Sequence, residues 1–198
     1  MHVQECIRSR ISTRVFKPDP ISHNCIEQIL ESGRWAPSAK NRQPWRFAVL
    51  TGAEKKRIIE CCGESLKKAN NNEHISINEI PSERESFQII DQAPILILVF
   101  NIYPSHRILQ HEDHKYDMTN IQSIGAAIQN MLLTATELGI KSLWICDIFS
   151  AAGAIEKLFH NAGELVAGIA LGFSEEREDY RTSRLPLCDL LLSLESEV

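Results

Sequence analysis

Arginine and serine residues near both ends of the chain carry the first chemistry that the sequence offers. Arg10, Ser12 and Arg14 lie close together near the N-terminus, and Arg184 follows Ser183 near the C-terminus. Guanidinium groups make paired, charge-assisted hydrogen bonds to phosphate oxygens, and serine hydroxyls can complete such an anion site. The pattern predicts a phosphate site built from both ends of the chain; solvated surface arginines are the alternative explanation.

A segment bounded by two prolines, residues 36–45, is the second candidate. Its sequence is Ala-Pro-Ser-Ala-Lys-Asn-Arg-Gln-Pro-Trp. Pro37 and Pro44 fix their own φ angles, remove two backbone donors and push the preceding residues toward extended geometry. The segment is therefore predicted to be a stiff loop rather than an α-helix. Stiff loops on a scaffold often carry binding sites, although an ordinary surface turn would have a similar composition.

Hydrophobic periodicity predicts the elements that position these residues. The predicted helices are a turn over 3–9, a helix capped by Ser22 or Asn24 that ends near Gly33, a helix that starts with a capping box at 51–54, a long helix over 119–138 that stops at Gly139, and a short helix over 150–159. The predicted strands cover 45–50, 93–100, 141–146 and 165–173. The run 93–100 is apolar throughout, which is typical of a strand buried on both faces.

The remaining segments are predicted from their polarity. Residues 67–85 are predicted as a loop or a surface helix, and residues 101–117 as a polar connection. The alternation of helices and strands would suit a parallel doubly wound sheet. No strand is followed by a glycine-rich dinucleotide motif or a Walker loop, and the apolar C-terminal end requires a neighbouring subunit.

Composition limits the class of protein. The 198 residues are predicted to form one domain over 1–198, and the net charge of −5 argues against bulk binding to nucleic acid. No apolar run approaches the ~20 residues that span a bilayer, and no secretory signal is evident at the N-terminus. The six cysteines form no Cys-x-x-Cys pair, which favours reduced thiols and a cytoplasmic location.

Five segments, in order, together resemble the nitroreductase family. They are Arg10-x-Ser12-x-Arg14-x-Phe16, residues 36–47 with the motif Ala-Pro-Ser-x-x-Asn-x-Gln-Pro-Trp-x-Phe, residues 125–135, the pair Trp144-Ile145, and Ser183-Arg184-Leu185-Pro186. The resemblance implies an α+β fold with a central mixed, mainly antiparallel sheet flanked by helices, and a C-terminal segment exchanged with the partner subunit. It also implies a homodimer that binds FMN, takes electrons from NADH or NADPH, and reduces a small electron-poor acceptor such as a nitroaromatic, a quinone or an enone.

The resemblance further implies roles for individual residues. The cofactor-binding positions that it identifies are Arg10, Ser12 and Arg184 at the FMN phosphate, Ile11 between the first two, Arg14 near the phosphate and ribityl chain, Pro37, Ser38, Ala39 and Asn41 against the isoalloxazine of the other subunit, and Ile145, Cys146 and Asp147 with their backbone toward flavin N5. No side chain is assigned as a catalytic acid or base, because the flavin carries the chemistry. No metal ligand is expected either.

Two residues depart from the family pattern, in which small residues are common beside N5. A carboxylate at Asp147 would disfavour an anionic reduced ring unless it turns to solvent or pairs with an arginine. Cys146 could be a redox nucleophile, although no base or second cysteine is adjacent in sequence. Two alternatives therefore stay open: a member of the fold that is flavin-destroying, dehalogenating or azoline-oxidising, and a flavin-binding protein without turnover.

Several other side chains are expected to be structural. Trp45 and Trp144 are predicted to lie in the core, and so is the helix face that carries Met118 and Met131. His106, His111 and His114 do not have the spacing of a compact two-histidine helix motif. A solvated loop is favoured there over a metal site.

Overall fold

Four antiparallel strands form the centre of the fold. The computed structural model describes residues 1–69, 81–103, 111–160, 162–175 and 183–192. The strands are β1 (Trp45–Leu50), β2 (Ile95–Asn101), β3 (Lys141–Ile145) and β4 (Glu164–Gly172). The α-helices are α1 (Val3–Ser9), α2 (His23–Arg34), α3 (Gly52–Ala69), α4 (Pro81–Gln92), α5 (His111–Glu137) and α6 (Ala152–Leu158). Short 3₁₀ turns lie at Ala39–Asn41, Asp147–Ala151 and Leu187–Leu190.

The sheet has the order β1-β2-β4-β3, and every pairing between these strands is antiparallel. A parallel contribution comes from an isolated bridge between Ser12 and Ser142, beside β3. This arrangement confirms the predicted α+β class with a mixed, mainly antiparallel sheet. It leaves β1 and β3 as the two edge strands.

Strand β2 is buried along its whole length, as its apolar sequence predicts. Successive side chains of a strand point to opposite faces, so β2 supplies both sides of the core. Leu96, Leu98 and Phe100 belong to a cluster with residues of α3, α4 and α6. Ile97 and Val99 belong to a second cluster with residues of α2 and α5.

Close packing of α2 against α5 fixes the start of the proline-bounded loop. A Cβ atom added to Gly33 would lie 2.9 Å from two side-chain atoms of Met131, so glycine allows the two helices to approach. The Asn130 side chain also donates a 3.1 Å hydrogen bond to the backbone oxygen of Ser32. The C-terminal turn of α2 is therefore anchored at Ser32 and Gly33, shortly before the loop begins at residue 36.

Most predicted boundaries are confirmed, and α5 gives the largest correction. Helices α1 and α2 and strand β1 lie where they were predicted, and Ser22 caps α2 by accepting a hydrogen bond from the backbone N–H of Cys25. Gly139 has a φ of 74°, as expected of a residue that ends a helix. Helix α5 begins at His111 rather than near residue 119. The sequence did not predict these first turns because they are polar and show no apolar periodicity.

Three smaller differences concern the other connections. The predicted short helix over 150–159 is a 3₁₀ turn, Asp147–Ala151, followed by α6. The polar stretch 67–85 contains the end of α3 and the start of α4, and residues 70–80 lie outside the described part of the chain. Within that described part, no helix combines the length and apolarity that a membrane span requires.

The side chain of Lys55 on α3 caps the end of α4. It is buried, and its Nζ donates to the backbone oxygens of Asp91, at 2.7 Å, and of Ala93. Carbonyl groups at a helix C-terminus lack partners within the helix and carry partial negative charge, so an ammonium group satisfies and stabilises them. This contact ties α3 and α4 together beside the start of β2.

We expect Lys55→Ala to lower the free energy of unfolding by about 2–3 kcal/mol, because it leaves buried carbonyl groups without a donor. Urea denaturation followed by far-ultraviolet circular dichroism measures this change. Lys56→Ala, at the exposed neighbouring position, is the control and should change stability by less than about 0.5 kcal/mol. Equal stabilities for the two variants would contradict this role of Lys55.

Candidate functional site

The arginine-serine segment near the N-terminus lies along the exposed edge of β3. Ser12 forms the parallel bridge with Ser142, and the backbone N–H of Thr13 donates to the backbone oxygen of Ser142 at 3.0 Å. Thr13 is fully buried, whereas Ser12 and Arg14 are exposed. The alternation means that the side chains of Ser12 and Arg14 are presented on the outer side of the segment.

A cavity of about 310 Å³ joins this segment to the end of β3. Its described lining comes from three parts of the chain. Arg14 is in the arginine-serine segment, Ser86 and Ile89 are on α4, and residues 143–147 cover the end of β3 and the turn after it. The sequence-predicted residues Arg14, Ile145, Cys146 and Asp147 thus meet in one place. The volume is at the small end of the roughly 300–1,000 Å³ typical of ligand clefts.

A hydrogen bond between α4 and the turn after β3 organises one wall of this cavity. The Ser86 hydroxyl donates to the Asp147 carboxylate, with an Oγ–Oδ2 distance of 2.6 Å. Such a short O–H···O⁻ distance is typical of a bond to an ionised acceptor. Asp147 is thus held by a donor from α4, a possibility that the sequence did not suggest.

Cys146 lies next to this pair and is exposed. Partial burial and the neighbouring Asp147 carboxylate raise the pKa of the Cys146 thiol above its ordinary value. A nucleophilic cysteine needs the opposite change, because the thiolate is the reactive form. The environment of Cys146 therefore argues against a redox nucleophile.

The proline-bounded loop is ordered and contains backbone strain. Lys40, Asn41 and Gln43 have φ angles of 53°, 53° and 47°, in the left-handed region that non-glycine residues seldom occupy. The Ser38 hydroxyl accepts the backbone N–H of Gln43 at 3.0 Å, and the Gln43 side-chain amide donates to Asn41 Oδ1 at 3.3 Å. Strained backbone of this kind persists only where surrounding contacts enforce it, and it concentrates at functional sites.

Contacts to the rest of the fold hold this loop in place. The backbone N–H of Ala39 donates to the Ser123 hydroxyl on α5 at 3.3 Å. The Arg42 guanidinium lies 4.9 Å from the centre of the Tyr103 ring. The backbone N–H of Ile102 donates to the Pro44 oxygen at 2.9 Å. The loop is therefore a rigid surface rather than a flexible linker.

The predicted site residues form three separate groups in one chain. Residues of the loop and Arg184 are absent from the described lining of the 310 Å³ cavity. Arg184 is exposed on the C-terminal segment, where its guanidinium donates to the backbone oxygen of Ser183 at 3.3 Å. The same segment exposes four leucines besides Leu185: Leu187, Leu190, Leu191 and Leu192.

A second, larger cavity of about 810 Å³ lies at the opposite edge of the sheet. It is bounded by α2 on one side and by Gln43, Trp45, Arg46 and Phe47 on the other. Hydrogen bonds from Arg34 and Trp35 lower the pKa of Glu31, on its rim, to about 2. The edge strand β1 and this groove together form an uncovered surface in the single chain.

Sequence reasoning missed four lining residues of the smaller cavity: Ser86, Ile89, Leu143 and Trp144. Trp144, expected in the core, is 38% exposed, because Leu143 and Ile145 point into the core and the residue between them faces the other way. Ser86 lies just past a stretch without clear periodicity, and no local pattern marks it. Met131 is buried as predicted, but Met118 is exposed.

The histidines considered as metal ligands lie partly outside the described residues. Among the described residues, no group of three or more His, Cys, Asp or Glu is placed to hold a metal ion. His106 and the side chains of His111 and His114 lie outside that part of the chain. All six cysteines are free.

Comparison with known proteins identifies the family to which the chain belongs. The family model described as the nitroreductase family matches residues 7–173, so the chain belongs to the nitroreductase family. A protein of Archaeoglobus fulgidus named as an NADH dehydrogenase/NAD(P)H nitroreductase is 32% identical over 90% of each chain. The 4-nitrobenzoate reductase of Pseudomonas putida is 26% identical, over 91% of this chain and 88% of that one.

A solved structure agrees with this assignment. A protein of Desulfovibrio desulfuricans, named as a nitroreductase and crystallised with FMN, is 28% identical, with a TM-score of 0.73. The alignment covers 98% of this chain and 97% of that chain.

We expect the strain at Lys40 to be measurable in paired variants. Lys40→Val should lower the free energy of unfolding by about 1–2 kcal/mol, because a β-branched residue tolerates positive φ poorly. Lys40→Gly removes the same side chain without that penalty and should be more stable than the Val variant. Urea denaturation of the two variants measures the difference. A Val variant as stable as the Gly variant would show that the loop relaxes out of this conformation.

Proposed function

We propose that the protein is an FMN-dependent oxidoreductase that transfers electrons from NADH or NADPH to a small electron-poor acceptor, such as a nitroaromatic, a quinone or an enone. The observation that carries the proposal is the shared cavity, where Arg14 meets the backbone of residues 145–147. The FMN complex of the Desulfovibrio relative, the NAD(P)H donor in the name of the Archaeoglobus relative and the nitroaromatic substrate in the name of the Pseudomonas relative support it.

The residues present fit the parts of FMN. In this proposal, Arg10, Ser12 and Arg184 hold the phosphate, Ile11 lies beside them in the cofactor site, and Arg14 lies near the ribityl chain. The backbone of Ile145, Cys146 and Asp147 faces flavin N5. Guanidinium groups and a serine hydroxyl suit a phosphate dianion, and a strained, immobile loop suits a flat ring because little entropy is lost on binding.

Bound FMN would supply the chemistry by accepting hydride from the nicotinamide and passing electrons to the acceptor in a ping-pong cycle. The protein binds and orients the reactants in this scheme. We assign no catalytic acid or base to a side chain, and solvent supplies the protons.

We further propose that the active form is a homodimer with exchanged C-terminal segments. In the single chain, the wall residues Pro37, Ser38, Ala39 and Asn41 stand apart from the cavity, so a second copy would supply them. The exposed leucines of residues 185–192, and Leu30 and Phe47 in the groove beside β1, offer apolar surface to a second chain. Burial of both surfaces between two chains would remove this apolar area from water.

A cytoplasmic location is part of the proposal. The free state of all six cysteines is consistent with a reducing compartment. Nicotinamide nucleotides as electron donors fit the same location.

Anaerobic mixing of the purified protein with NADH, and separately with NADPH, tests the function. We expect a yellow protein whose flavin absorbance bleaches within seconds with at least one nucleotide and returns when a nitroaromatic or quinone is added. A yellow protein that neither nucleotide bleaches would instead be a flavin-binding protein without turnover. A protein that remains colourless after incubation with FMN would refute the proposal.

We expect Arg184→Ala to weaken FMN binding by about ten- to a hundredfold, because a hydrogen bond to a charged group contributes roughly 1.5–3 kcal/mol. Fluorescence titration of the apoprotein with FMN measures the dissociation constant. Arg57→Ala, on the exposed side of α3, removes the same charge elsewhere and should leave the constant unchanged. Unchanged FMN affinity in the Arg184 variant would exclude this residue from the phosphate site.

We expect sedimentation equilibrium to give twice the chain mass of 22.4 kDa. Replacing Leu187 and Leu190 together with Glu should shift the protein toward monomer and release FMN, because charges would enter an apolar interface. Asp189→Asn, in the same segment, is the control and should remain dimeric. A monomer that binds FMN tightly would contradict the exchange.

A further inference from the structure

The hydrogen bond between Ser86 and Asp147 is the least expected contact at the site. Ser86 lies on α4 and is 9% exposed, and Asp147 is 61 positions away, in the turn after β3. Both line the cavity that also contains Arg14 and Cys146. The contact therefore links helix α4 to the residues expected to face the cofactor.

The partner of Ser86 differs from the partners of three other helical serines in the described part of the chain. The hydroxyls of Ser9, Ser65 and Ser123 donate to carbonyl oxygens one turn earlier in their own helices. This local pattern is the usual one for serine inside a helix. The hydroxyl of Ser86 instead donates across elements to a carboxylate.

The hydrogen bond has an electrostatic consequence. Asp147 as a residue is exposed, and contact with water would screen the charge of its carboxylate. Donation from a buried hydroxyl at 2.6 Å holds the carboxylate at the cavity wall. A negative charge fixed there opposes the gain of negative charge by a bound ring.

We propose that Ser86 is a positioning residue that holds the Asp147 carboxylate against the cofactor cavity and thereby lowers the reduction potential of bound FMN. The inference rests on the proposed function, because it requires FMN in the 310 Å³ cavity. A lower potential makes the reduced protein a stronger electron donor and favours acceptors that are difficult to reduce. Ser86 would thus influence which acceptors the reduced protein can reduce, without contacting those acceptors.

The midpoint potential of the bound flavin tests this role, measured by anaerobic dye-coupled reduction of the FMN-loaded protein. Asp147→Asn should favour reduced over oxidised FMN by about tenfold, which corresponds to ~30 mV for a two-electron couple. Ser86→Ala should shift the ratio of reduced to oxidised FMN in the same direction by about threefold or more, because the carboxylate loses the donor that fixes it at the cavity wall. Ser86→Thr retains a hydroxyl and should restore most of the parent potential.

Two controls separate this role from general loosening of the structure. Ser65→Ala removes a helical hydroxyl on α3 that bonds to its own helix, and it should leave the potential unchanged. In an Asp147→Ala background, Ser86→Ala should add no further shift, because its effect passes through the carboxylate. An equal shift in that background, or a comparable shift in the Ser65 variant, would overturn the assignment.

The outcomes distinguish this inference from the proposed function. A parent protein that binds FMN, with a Ser86→Ala variant whose potential is unchanged or lower, overturns the role of Ser86 alone. A parent protein that binds no FMN overturns both the role of Ser86 and the proposed function.

Discussion

Strand β2 is covered by helices on both faces from Ile95 to Asn101, and this burial dictates where the molecule can bind a ligand. A strand with side chains packed on two sides leaves no room for a polar cofactor in the middle of the sheet. The edge strands β1 and β3 are the remaining places where backbone and side chains meet solvent. Both cavities described above lie at these edges, one beside each.

Contacts between elements turn the β3 edge into a site. The arginine-serine segment is held there by backbone hydrogen bonding to Ser142, which fixes its register and presents Ser12 and Arg14 outward. Helix α4 approaches the same edge from the other side, with Lys55 capping its C-terminus and Ser86 bonded to Asp147. The cavity is therefore shaped by hydrogen bonds as well as by apolar packing.

Stability and function make opposite demands on the proline-bounded loop. Three left-handed residues without the freedom of glycine raise its energy. Backbone hydrogen bonds to the hydroxyls of Ser38 and Ser123, together with the packing of α2 on α5, nevertheless keep it ordered. A wall that is already rigid loses little entropy when a flat ligand lies against it. The strain is thus consistent with a surface adapted to bind rather than to connect.

The sequence by itself determined the family, the helices with clear apolar periodicity, the strands, and the segments expected at the site, because these depend on residue type and local spacing. It could not predict that α5 begins at His111, since polar first turns have no periodic pattern. It also could not predict that Trp144 is exposed, because the orientation of this side chain follows from its neighbours on β3. It could not identify Ser86 either. A hydrogen bond between residues 61 positions apart exists only because α4 and the turn after β3 are packed side by side. The tertiary structure alone decided that contact, and with it the orientation of the Asp147 carboxylate at the cavity wall.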